Sequence, residues 1–297
     1  MLNRLPSWIR QHLAGLAVLL VFTVLLGIGY PLVITGIAQI PGLASRADGS
    51  MLTADGHDVG SALIGQSFTT ADGTPILKYF QSRPSDAGDG YDPTDTSASN
   101  LGPENIVDTL PNPAVKGDTG TQSLLTQVCA RSKQVGEENS VDGRRPFCTA
   151  SGVGAVLSVI RTHGTVGKVR EVVSVNQACP TKPFISSYDG VPVTCAKFGG
   201  NYDIGTIVPI RGPGKAWPAN PVPPDAVTAS GSGLDPDISV AYADLQAPRV
   251  ARLRGLPLSK VQQLIRTYTS GPDLGFLGQR SVNVLELNLA LDRLGSG

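Results

Sequence analysis

The residues that could carry chemistry fall into three sets: a run of evenly spaced aspartates, two loops rich in serine and glycine, and four cysteines. Asp86, Asp89, Asp92 and Asp95 recur every third residue, and hard cations take carboxylate oxygens. The spacing is not that of an EF-hand, however, and Asp beside Gly or Pro is above all a turn former. In TASGSGLDP, Ser230 and Ser232 alternate with Gly231 and Gly233, but a nucleophile elbow would need Gly where Ser230 stands. No S-x-x-K occurs. Gly214-Lys215 would make a phosphate-binding loop only with Gly at 209 and Ser or Thr at 216, where the chain has Pro209 and Ala216. Gly152 and Gly154 open a dinucleotide pattern whose third glycine is missing. His12, His57 and His163 stand apart, without a cysteine or carboxylate cluster beside them. No catalytic residue, cofactor-binding residue or metal ligand is therefore assigned.

Cys129, Cys148, Cys179 and Cys195 lack the C-x-x-C spacing of a metal site, and an even set of this kind suits two disulfides in an oxidising compartment. The alternative is four buried thiols in a reducing one. Four cysteines permit three pairings. We expect the sequential one, Cys129 with Cys148 and Cys179 with Cys195, because each pair brackets a turn-rich segment, Asp142-Gly143 and Asp189-Gly190.

The elements that hold these residues begin with an apolar stretch. Residues 11 to 45 contain no Asp, Glu, Lys or Arg, and Leu13 to Ile40 exceeds the roughly 20 apolar residues a helix needs to cross about 30 Å of hydrocarbon. A cleaved signal peptide is the rival, but its apolar region would run only about 7 to 15 residues. Arg4 and Arg10 precede the stretch and Arg46 follows it, so the positive-inside rule puts the N-terminus in the cytoplasm and the remainder outside. Gly27, Gly29, Pro31 and Gly36 crowd its outer half, where small residues let helices approach closely, though without GxxxG.

Charge balances at 24 basic and 24 acidic residues with no basic run, which removes the footprint of a nucleic-acid binder. Gly (35) and Pro (23) imply many turns, while 41% hydrophobic content can still fill a core. Ser61 to Phe68 and Ile76 to Phe80 read as short strands or turns, and Arg83 to Asn105 as a long loop almost free of aliphatics. A helix is expected from Thr121 to near Gly136, strands over Val169 to Val175, Val191 to Cys195 and Ile204 to Ile210, and a Pro-rich connector over Gly212 to Pro224. Ser239 can cap a helix, Pro248 can start or kink another ending near Gly255, and Ser259 can cap a third with Val261, Leu264, Ile265 and Tyr268 on one face. The terminal VNVLELNLALDRL alternates like a strand, but Asn283 with Glu286 three residues on resembles a capping box, which favours helix.

Three segments together are specific: YFQSRPSDAGDGYDPTDTSASNLGPEN (79–105), VPPDAVTASGSGLDPDISVAYADLQAPRVARLRGL (222–256) and LGFLGQRSVNVLELNLALD (274–292). They closely resemble the C chain of the bacterial Kdp potassium-transporting P-type ATPase, over about residues 1–116 and 220–297. The resemblance implies a subunit with no catalytic residues and no cofactor of its own, ATP, Mg and K belonging to the complex. Its implied partners are a channel-like A chain and a P-type ATPase B chain, and it would help assemble or stabilise the complex and cap the ion entrance. The family is also credited with aiding ATP binding, which the topology above opposes, since ATP is cytoplasmic. Residues 117–219 form a block that typical relatives lack, expected to be a β-rich, disulfide-bonded insertion emerging from the surface.

The fold expected is α+β: a cytoplasmic segment 1–11, a transmembrane helix 12–38, and an extracytoplasmic domain 39–297 interrupted by the insertion 117–219. Residues with turn chemistry in the two loops are candidate partner contacts: Arg83, Tyr91, Asp92, Asn100, Ser230, Gly231, Ser232, Gly233 and Asp235, with Arg249 nearby. Arg83, Tyr91 and Arg249 are the expected anchors, because Tyr and Arg are over-represented among hot spots. The competing reading is that the loops brace each other. A membrane-anchored exterior enzyme and a structural module are the alternative functions.

Overall fold

The computed structural model describes residues 6–87, 90–95, 99–211 and 221–295. Arg4, Asp89 and the connector at 212–220 lie outside the described residues. The chain divides into two compact units, residues 1–63 and 64–297.

The first unit opens with a continuous 32-residue helical segment, Ser7–Ala38, long and apolar enough to cross a membrane. It comprises α1 (Ser7–Val24), one π-helical turn (Leu25–Gly29) and α2 (Tyr30–Ala38). The π turn has a local cause. Pro31 has no amide to donate and its ring crowds the carbonyl one turn back, so widening the turn just before it relieves both problems. A short helix, α3 (Ala44–Ala47), leads to a hairpin of β1 (Met51–Ala54) and β2 (His57–Ser61). Its two-residue turn is Asp55-Gly56, both at positive φ (51° and 80°), as a type I′ turn requires.

The second unit contains α4 (Leu124–Asn139), β3 (Val156–His163), β4 (Val166–Ala178), β5 (Ser187–Tyr188), β6 (Val191–Ala196), β7 (Thr206–Pro209), β8 (Asp237–Ser239), α5 (Val240–Arg254), α6 (Leu258–Thr267), β9 (Thr269–Ser270), β10 (Ser281–Asn283) and α7 (Val284–Gly295). A five-stranded sheet runs β5-β6-β4-β3-β7, antiparallel except for the parallel β4–β6 pair. A three-stranded sheet runs β8-β10-β9. One core gathers Phe80, Val135, Val227, Ile238, Val250, Val261, Ile265, Leu287 and Leu291, and a smaller one gathers Leu157, Val159, Val172 and Val193.

The expected strands Val169–Val175 and Val191–Cys195 lie within β4 and β6, and the expected Ile204–Ile210 is shorter in the structure, β7 covering Thr206–Pro209. The expected helix after Thr121 is α4, capped by Ser123, whose Oγ accepts from Thr126 N at 3.2 Å, and running to Asn139. Two readings are corrected. Pro248 lies inside a single α5 that Gly255 ends at φ 63°. Pro257, not Ser259, precedes α6. The terminal segment is helical, and Asn283 Oδ1 accepts from Glu286 N at 3.0 Å. Both disulfides form as the sequential pairing has them, with Cα separations of 5.5 Å for Cys129–Cys148 and 5.0 Å for Cys179–Cys195.

Candidate functional site

The two serine and glycine-rich loops meet. Ser85 and Ser230 form a parallel bridge, Ser230 N donates to Pro84 O at 2.7 Å, Asp86 N to Ser230 O at 2.9 Å and Asp92 N to Ser232 O at 3.1 Å. Arg83 closes one side. Its Nη1 pairs with Asp235 at 2.6 Å, and its Nε and Nη2 reach Thr228 O at 3.4 and 3.2 Å. Arg131 of α4 closes the other, pairing with Asp86 at 2.7 Å and donating to Val227 O at 3.3 Å. Gly233, at φ 72°, faces Gly90 O so closely that a β-carbon would collide with that backbone. Glycine is required there both for its conformation and for the approach.

The described aspartates Asp86 and Asp92 have separate partners. Asp86 serves Arg131, and Asp92 Oδ1 accepts Thr94 N at 2.7 Å and Thr94 Oγ1 at 2.6 Å, bonds that hold its carboxyl below the usual range. Among the described residues no group of three or more His, Cys, Asp or Glu is placed to hold a metal ion.

Of the candidate contacts, Arg83, Asp92, Ser230, Ser232, Gly233 and Asp235 share this junction, with Gly231 between the serines. Tyr91 is half-buried beside it and Asn100 is exposed further along. Arg249 must be corrected. It is 1% exposed, out of a partner's reach in this fold. Its Nε donates to Asn139 Oδ1 at 2.9 Å, its Nη2 to Gln246 Oε1 at 2.7 Å and its Nη1 to Leu77 O and to Tyr79 O, the last at 3.0 Å. Burial lowers its pKa from the ordinary guanidinium value.

Sequence reasoning missed what Arg249 belongs to. The segment 77–81, which opens in a turn, is hydrogen-bonded by side chains of α5 and α7. Gln246 Oε1 accepts Gln81 N at 2.7 Å while its Nε2 donates to Gln81 O at 3.0 Å. Asn288 does the same for Phe80, at 2.9 and 3.0 Å. Arg254 Nε donates to Lys78 O at 2.8 Å. Each amide thus replaces a neighbouring strand, a necessity because buried backbone groups must be paired. The available signal was polar residues, Gln246, Arg249 and Asn288, at the core-facing spacing of otherwise apolar helix faces.

Beside the junction opens a cleft of about 180 Å³, lined in part by Arg83, Gln81, Arg131, Val135, Glu138 and Tyr242. This is below the roughly 300 to 1,000 Å³ of drug-sized ligand pockets. Tyr242 is buried, and burial followed by the charge of Glu138 raises its phenol well above the ordinary value.

The K+-transporting ATPase c chain family, KdpC, matches residues 12–110 and 210–293, the segments that supply both loops, α5, α6 and α7. The chain belongs to the KdpC family. Similar to it is the potassium-transporting ATPase KdpC subunit of Mycobacterium tuberculosis, 37% identical over 285 residues that cover 96% of this chain and 99% of that one. The KdpC subunits of Kineococcus radiotolerans and Streptomyces coelicolor are 34% and 35% identical, covering 97% and 96% of this chain and 95% and 93% of theirs. Residues 111–209 lie between the two matched KdpC segments, yet they are not merely appended. Val135 of α4 sits in the principal core, Arg131 reaches Asp86, and Arg145 Nη2 donates to Val222 O at 2.5 Å. β3 to β7 gather a smaller core of their own, whereas α4 contributes Val135 to the principal one.

Proposed function

We propose that this chain is the non-catalytic accessory subunit of an ATP-driven potassium uptake pump, anchored by its single helix and assembling or stabilising the complex from outside the cell. The partners are the channel-like A chain and the P-type ATPase B chain, and the second unit caps the ion entrance. The observation that carries this reading is the rigid junction of two loops, both within family-matched residues, cross-braced by Arg83–Asp235 and Arg131–Asp86. A surface of turn formers held by ion pairs and backbone bonds is pre-organised for a partner. The paired cysteines and the arginines preceding the helix support an exterior domain and a cytoplasmic N-terminus. ATP, Mg and K are then handled by the complex, and an exterior domain has no direct path to ATP.

Affinity purification of the tagged full chain from membranes tests the proposal. Two polytopic chains should accompany it with potassium-stimulated ATPase activity, and Tyr91→Ala should reduce their recovery without lowering this chain's melting temperature. Purification of the chain alone under mild detergent would refute the reading.

A further inference from the structure

The turn between β9 and β10 presents Leu274 at 83% exposure, Phe276 at 74% and Leu277 at 51%. Outside the apolar helix, no other run of four described residues exposes three large apolar side chains this far. Soluble surfaces rarely concentrate apolar groups without a use for them. The tip is also closed upon itself: Asp273 N donates to Leu277 O at 2.8 Å, Gly275 N to Pro272 O at 3.1 Å, and Phe276 N and Leu277 N to Asp273 O at 3.2 and 2.9 Å. With these four amides engaged, the knob offers an apolar contact and little backbone for strand pairing, and bonded amides are what hydrocarbon demands.

The exposed charge flanking it in sequence is mainly cationic. From Arg252 to Ser281 the exposed cations are Arg252, Lys260, Arg266 and Arg280, none in an ion pair among the described residues, and the one exposed acid is Asp273. Arg266 and Arg280 flank the knob most closely in sequence. An apolar tip flanked in sequence by the exposed Arg266 and Arg280 suits an anionic bilayer surface, with Asp273 the one opposing exposed charge in the knob. The tether permits it. Residues 39–63 join Ala38 to Ile64, so the second unit is covalently tied to the helix.

We propose that the 272–278 knob is a second membrane contact, inserting Leu274 and Phe276 into the interface of an anionic bilayer while Arg266 and Arg280 engage lipid phosphates. The inference rests only on the helix being a retained anchor and is independent of the loop junction. Because all four native cysteines are in disulfides, Leu274→Cys gives a single thiol for an environment-sensitive NBD label in the full chain. The labelled chain is reconstituted alone in phosphatidylcholine vesicles with and without phosphatidylglycerol. The expected result is blue-shifted emission, quenched by brominated acyl chains, in the anionic vesicles, with several-fold less quenching in pure phosphatidylcholine and in Arg266→Glu/Arg280→Glu. A control label at exposed Val115 should stay water-like. Water-like emission at position 274 in both vesicles would overturn the proposal, as would equal quenching at 115. A blue shift seen only after the other pump subunits are added would also overturn it, assigning the knob to a protein partner. Failure of the first two kinds leaves the accessory-subunit reading intact, since that reading is judged by co-purification.

Discussion

Arg249 Nε donates to Asn139 Oδ1 at 2.9 Å, across 110 residues of sequence, and both side chains are buried. The bond joins α5, within the family-matched sequence, to α4, within the unmatched block, so the two have a common interior.

Asn139→Ala removes the acceptor of a buried guanidinium N–H and should destabilise the chain by about 1.5–3 kcal/mol. Arg249→Ala should cost more, roughly 3–5 kcal/mol, because several acceptors lose their donor at once. Both are read as shifts in the denaturant midpoint of the purified chain. An unchanged midpoint with impaired assembly would restore Arg249 to the role of a partner anchor.

The two disulfides should differ in reach. Cys129 lies in α4, the helix that reaches the principal core through Val135, whereas Cys179 and Cys195 staple the β-sheet block. Each closed loop contributes on the order of 3 kcal/mol. Hydrogen exchange should show Cys179→Ser/Cys195→Ser loosening β4 to β6 only, and Cys129→Ser/Cys148→Ser loosening α4 and α5 as well. Identical exchange patterns for the two pairs would count against a shared interior.

Gly233→Ala should push the loops apart, since its β-carbon has no room beside Gly90 and the φ of 72° disfavours any side chain. A loss of about 1–3 kcal/mol is expected from the strain and overpacking. Gly255→Ala also sits at positive φ but meets nothing within 4 Å, so it should cost less. The comparison of melting temperatures separates close approach from backbone conformation.

Burial, with Asp235 nearby, raises the Asp237 carboxyl above its ordinary value, and a hydrogen bond at 3.0 Å from Ser281 Oγ offsets this in part. The sign follows from linkage. A carboxyl with a raised folded pKa binds its proton more tightly when folded, so its contribution favours folding at low pH and is lost as pH rises through the interval from 3.8 to the raised value. Asp237→Asn should remove that slope from stability measured against pH in the acid range. An unaltered slope would assign the dependence to other groups.

Much of this was legible in the sequence, because the signals were local. The membrane-spanning length, the disulfide pairing, the Asn283 cap and the strands in β4, β6 and β7 each depend on neighbours in the chain. β3 was not legible. Residues 156–160 are buried on both faces, so Val156 to Ile160 shows no alternation to betray a strand. The role of Arg249 was hidden for the opposite reason: apart from Gln246 one turn away, its partners lie on two distant segments, and an arginine near a loop reads as a surface residue until the fold encloses it.

The amides of Asn288 impose an order in time as well as in space. Phe80 is hydrogen-bonded by a residue 208 positions later, so its backbone has no partner there until the ribosome has made the last helix. The early segment must wait, solvated, for nearly the whole chain to appear, and a stop codon before α7 would leave the interior with unpaired backbone instead of a slightly smaller domain. Helix α7 therefore decides whether the principal core around Phe80 closes, while β3 to β7 keep the smaller core of their own.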